Sequence, residues 1–182
     1  MLNANVKLDP VSVAEKIIKN TGHEMHNAVL YGVSEDGSYS ELDRAPDIYD
    51  LLGREYPYTG LVGLAVHTTG WAAPLNEHGE SDGQPSKHPE RRRVALVTVK
   101  TAEGLGSALS FADDPDEIIT DKKGDGKLAD ALQECLLKMM WQGFWALVED
   151  SDGPIFGEYL ESPDTDICGV AKELALGEDH DF

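Results

Sequence analysis

A chain of 182 residues, 41% hydrophobic and 27% charged, has the length and balance of one soluble domain able to bury a real core. Its 34 acidic residues against 15 basic ones leave a formal net charge of −19, a surface that repels phosphate backbones and argues against direct nucleic-acid binding. Cys135 and Cys168, the 2 cysteines, are too few for a disulfide framework or a zinc finger, and no apolar run reaches bilayer-spanning length.

The first predicted element is a helix. Asp9 suits its N-cap and Pro10 its first turn, Val13, Ile17 and Ile18 share an apolar stripe, and Gly22 is a natural stop. "HNAVLYGVSEDGSYSEL" then reads as a hairpin around Glu35-Asp36-Gly37. "APDIYDLLGREYP" predicts a short helix bounded by prolines, with Ile48, Leu51 and Leu52 on one face. "YTGLVGLAVHTTG" is apolar without clean alternation, the pattern of a strand covered on both faces.

Val94, Leu96, Val97 and Val99 make the next strand, "TAEGLG" a turn and "SALSFA" its antiparallel partner. "DDPDEIITDKKGDG" reads as a polar connection. A long helix follows over 127–148: Leu128, Leu132, Cys135, Leu136, Met139, Phe144 and Leu147 recur at helical spacing, with Trp141 and Trp145 one turn apart. That pattern makes Cys135 a small buried hydrophobe and the tryptophan pair core or a dimer seam. A last short helix is expected in "DTDICGVAKELALG". The expected fold is α+β: an antiparallel meander and hairpin sheet packed against the long helix of the C-terminal half, with a short N-terminal helix. One domain spans 1–176, and "GEDHDF" from 177 to 182 is a flexible acidic tail.

The unusual element is 67–93, "HTTGWAAPLNEHGESDGQPSKHPERRR", which leaves one strand and enters another. Connections much beyond a dozen residues are usually functional or disordered. Trp71 and Pro74 suggest an anchored base over 67–75, the glycine-rich stretch a mobile tip over 76–87, and 88–93 an ordered return. Pro89 biases His88 toward extended backbone, after which Arg91 and Arg93 point to one face and Arg92 to the other. Three adjacent arginines in so acidic a chain are either matched by internal carboxylates or free to grip an anion by guanidinium forks. His67, Trp71, His88, Arg91, Arg92 and Arg93 are therefore the candidate ligand- or partner-binding residues.

Catalytic patterns are sparse. His67 and His88 with Glu90 could hold a metal for hydrolysis, yet the spacing of His67, His78 and His88 matches no compact ligand motif. His23 and His26 read as solvent-facing. No GxSxG is present, and neither Ser107 nor Ser110 has a histidine beside it in sequence. "GLGSAL" lies in a hairpin turn and not ahead of a helix, so it is no phosphate loop. Asp121, Asp125 and Gly126 match part of a calcium loop, but Lys123 and Leu132 occupy positions that must supply oxygen.

From Glu149 to Phe182 there are eleven acids and one base, Lys172, a segment that favours solubility or a basic partner. It also admits an acidic inhibitor that imitates the charge of DNA. "HTTGWAAPLNEHGE", "PSKHPERRRV" and "LSFADDPDE", within 67–117, resemble uncharacterised small acidic proteins of actinobacteria and their phages. The resemblance implies a phage–host setting and no activity. The reading as a whole is a cytoplasmic protein, monomer or homodimer, that needs no cofactor. It binds a protein partner, a basic one if charge decides, through the loop 67–93.

Overall fold

The computed structural model describes residues 8–23, 27–57, 60–78, 83–122 and 127–150, without the side chains of 143–150. The expected helix over 164–177, the acidic tail, His26, the candidate calcium turn at 123–126, and the side chains of Phe144, Trp145 and Leu147 lie outside the described residues.

The chain is α+β. Its elements run α1 (Pro10–Thr21), β1 (Ala28–Val33), β2 (Tyr39–Ala45), α2 (Ile48–Gly53), β3 (Gly63–Ala72), β4 (Arg92–Thr101), β5 (Gly104–Phe111), β6 (Asp114–Asp121) and α3 (Lys127–Asp150). The six strands form one sheet in the order β2-β1-β3-β4-β5-β6, every neighbouring pair antiparallel.

Local chemistry sets the helix ends. The Asp9 carboxylate accepts from the Val11 backbone N–H, Pro10 opens α1, and Gly22 ends it at φ 65 while its N–H reaches the Ile18 carbonyl. A side chain at that φ would be strained, which is why glycine stands there. Asp47 caps α2 through the N–H groups of Tyr49 and Asp50.

Helices cover both faces of the sheet. Val13, Ala14, Ile17 and Ile18 of α1 pack on Val29, Tyr31, Ala65, Val97 and Ala108. The opposite face carries Leu30, Leu64 and Val66 beneath α2 and beneath Leu132, Cys135, Leu136 and Met139 of α3. This explains the unbroken apolar run of β3: Ala65 faces one helix layer while Leu64 and Val66 face the other. Trp141 is 38% exposed. No described helix is long and apolar enough to cross a membrane.

The segment expected as a polar connection corrects to a strand. β6 pairs with β5 from Ser107↔Asp121 to Phe111↔Asp114, with an irregularity between Ser110 and Phe111. As an edge strand it buries one residue in part, Ile118, and leaves Ile119 49% exposed. So little burial leaves the apolar alternation that identifies a strand almost empty. Pro115 is tolerated because an edge strand has one unpaired side.

Candidate functional site

The 67–93 segment is more ordered at its base than a loop. β3 and β4 stay paired past the helix layer to Trp71↔Arg93 and Ala72↔Arg92. The connection proper is 73–91. Within the expected tip, Pro85–Lys87 forms a 3₁₀ turn with proline in its first position, where the fixed proline φ is pre-set. The return is a tight turn, closed by the Arg91 N–H on the His88 carbonyl at 3.3 Å. His88 Nδ1 accepts from the Glu90 N–H at 3.1 Å, so this histidine shapes the turn.

That turn aims the arginines. Arg91 donates through its guanidinium to the His88 carbonyl and lies with its guanidinium carbon 5.1 Å from the Trp71 ring centroid. Arg93 stands directly across the strand pair from Trp71, on the face where Ala95 and Val97 meet α1. Arg92 points the other way. Its guanidinium binds Asp113 at 2.7 and 2.9 Å and covers the Phe111 ring at 3.7 Å, and Asp113 is held below the ordinary carboxylate range by that contact. Trp71 is 45% exposed and Leu75 62%, so the hairpin end presents apolar surface flanked by cations.

His67 stands elsewhere. Its side chain is fully buried in β3, paired at the backbone with Val29 and Val97. Burial, then the neighbouring His23, push its pKa from 6.5 down to about 4. It cannot meet a partner at the surface without opening the sheet. The metal set His67, His88 and Glu90 is not gathered, and the described residues contain no cluster of three metal-ligating side chains.

Sequence reasoning overlooked His23. Its Nε2 lies 2.9 Å from Ser110 Oγ and 3.2 Å from the Ser110 carbonyl, so this histidine, expected at the surface, joins the end of α1 to β5. A carbonyl only accepts, so Nε2 carries the proton when it faces that oxygen; a base for the serine would need it bare. Ser110 is also 2% exposed, closed to any substrate. The pair is a clamp, and its 87-residue separation hides it from any local motif.

Two clefts among the described residues lie away from the hairpin arginines. One of about 340 Å³ opens between Asp47, Tyr49 and Thr68, and another of about 340 Å³ between Tyr56, Cys135 and Trp141. Burial pushes the Cys135 thiol up, away from the thiolate that a nucleophile requires. Tyr56 donates to the Leu51 carbonyl at 2.7 Å and ties α2 to the core. The carboxylates that a DNA mimic would display lie mainly in 149–182, largely outside the described residues. No family, curated protein or solved structure matches the chain.

Proposed function

We propose that this chain acts by binding, with the 67–93 hairpin end as the recognition surface for a protein partner and no chemistry of its own. The carrying observation is the exposed Trp71 with Arg91 stacked on it, built on strands that stay paired to Ala72↔Arg92. Tryptophan and arginine dominate interface energetics because they offer large contact area with a polar or charged edge. A paired β base holds them before binding, which lowers the ordering cost of association. Leu75 extends the apolar surface. The charge of −19 adds long-range attraction toward a basic partner, and the resemblance over 67–117 suggests a phage–host setting.

The test is site-specific photo-crosslinking in the full chain, with the reactive residue at Leu75 or at exposed Ser40 on the far edge strand. The reading expects one discrete adduct from position 75, absent from position 40 and lost on Trp71→Ala or on deletion of 76–87. An adduct that survives both changes removes the hairpin as the recognition surface.

A further inference from the structure

Five arginines occur in the chain, and three of them are matched by carboxylates. Arg44 pairs with Glu41, Arg54 with Asp43 and Asp50, and Arg92 with Asp113. Arg91 and Arg93 have no carboxylate partner among the described residues. Glu90, next to them in sequence, pairs with neither. Two guanidinium groups without a carboxylate partner among the described residues, beside an exposed tryptophan, set this place apart.

We propose that Arg91 and Arg93 form a binding site for a phosphate monoester, a phosphorylated side chain of the partner, with Trp71 as its apolar wall. Arg91, at the end of the turn, and Arg93, in the first residues of β4, are two residues apart, a span of at most about 7 Å of backbone, so two flexible arginine side chains can converge on one tetrahedral anion. Guanidinium forks match phosphate oxygens in pairs. Charge selects among anions. Two unmatched cations balance a phosphomonoester of about −2, whereas a carboxylate neutralises one of them. A polyphosphate backbone would meet the field of the whole acidic chain, while a single phosphate needs only the local pair. Arg92 supplies no part of this site, because Asp113 already holds it on the opposite face.

The proposal rests on the hairpin being the recognition surface and names what that surface grips. The experiment follows the arginine Nε–H signals of the full ¹⁵N-labelled chain by NMR, with inorganic phosphate, O-phosphoserine or acetate added at constant ionic strength. Saturable shifts of Arg91 and Arg93 with phosphate and O-phosphoserine are expected, with Arg44, Arg54 and Arg92 unmoved. Acetate should bind at least about tenfold more weakly, and Arg93→Gln should weaken phosphate by about tenfold or more, as expected for loss of a charged bidentate contact. Equal binding of acetate, equal shifts at all five arginines, or no shift overturns the phosphate site. If Trp71→Ala still abolishes the crosslink in that case, this inference alone fails and the recognition surface stands.

Discussion

Arg91 stacks over Trp71 with its guanidinium carbon 5.1 Å from the ring centroid, while Arg93 faces the same tryptophan across the strand pair. One exposed aromatic ring thus carries a guanidinium on its face, with a second arginine at its cross-strand register position. A tryptophan in a core would be sealed, whereas Trp71 is 45% exposed. The arrangement has a consequence for stability that separates folding from recognition.

Because Trp71 is 45% exposed, its truncation forfeits about half the burial of a sealed tryptophan, on the order of 2 kcal/mol. Cation–π contact at an exposed site contributes about 0.5–1 kcal/mol. Trp71→Ala should therefore lower unfolding free energy by about 3 kcal/mol or less in urea titration, while abolishing partner capture. A loss of about 5 kcal/mol, that of a sealed core aromatic, would make Trp71 a core residue and remove the basis for the recognition surface.

His67 should give the protein a measurable pH dependence. Its folded pKa is depressed from 6.5 to about 4, so the unfolded chain takes up a proton that the folded one refuses. Full stability is present above about pH 6.5 and is lost as pH falls toward 4, where the folded histidine protonates as well and the slope ends. At about 1.4 kcal/mol per pH unit of displacement, the loss is on the order of 3 kcal/mol. The measurement is urea unfolding of wild type and His67→Gln between pH 7 and 4. Their stability difference should move steadily against wild type over that window, since Asp43 and Asp113, lowered by arginine contacts, titrate alike in both. Parallel curves would contradict the buried neutral histidine.

The His23–Ser110 clamp should show coupling. Ser110→Ala removes a part-buried hydrogen bond of 2.9 Å and should cost about 1 kcal/mol. His23→Ala should cost a similar amount, and the double variant less than the sum. Strict additivity in the denaturation cycle would mean that the two side chains do not interact in solution.

Gly106 marks where α1 meets the sheet. A Cβ there would lie 2.5 Å from the Val11 nitrogen and 2.7 Å from the Pro10 carbonyl carbon, both backbone atoms that cannot rotate away. Gly106→Ala should destabilise by about 1–3 kcal/mol or more, as overpacking does. At Gly70 a Cβ meets nothing within 4 Å, so Gly70→Ala is the control and should leave the melting temperature nearly unchanged. Equal effects at the two positions would contradict the packing of α1 on β5.

Elements with local signals were legible in the sequence. Asp9, Pro10 and Gly22 bracket α1 because capping involves neighbours only, and the β4–β5 hairpin followed from its apolar runs around a short turn. The alternation of Arg93 against Arg92 was legible for the same reason, since strand geometry assigns it residue by residue, whereas Arg91 lies in the turn that precedes β4. β6 was not, because an edge strand that half-buries Ile118 alone leaves almost no pattern. Nor was the fate of His67: in a strand covered on both faces, every position is interior and nothing local marks which residue is sealed. The sequence also gave no sign that α1 and α3 cover opposite faces, or that His23 meets Ser110, since both depend on packing between distant segments.

The most direct test of the recognition surface is the affinity of the crosslinked partner for the full chain carrying Trp71→Ala, Arg93→Gln or Arg44→Gln, measured by calorimetry. Trp71→Ala and Arg93→Gln should each weaken binding by tenfold or more, about 1.4 kcal/mol, with Arg44→Gln unchanged because Glu41 already holds that arginine. Equal affinity for all three variants and wild type would place recognition on another part of the molecule.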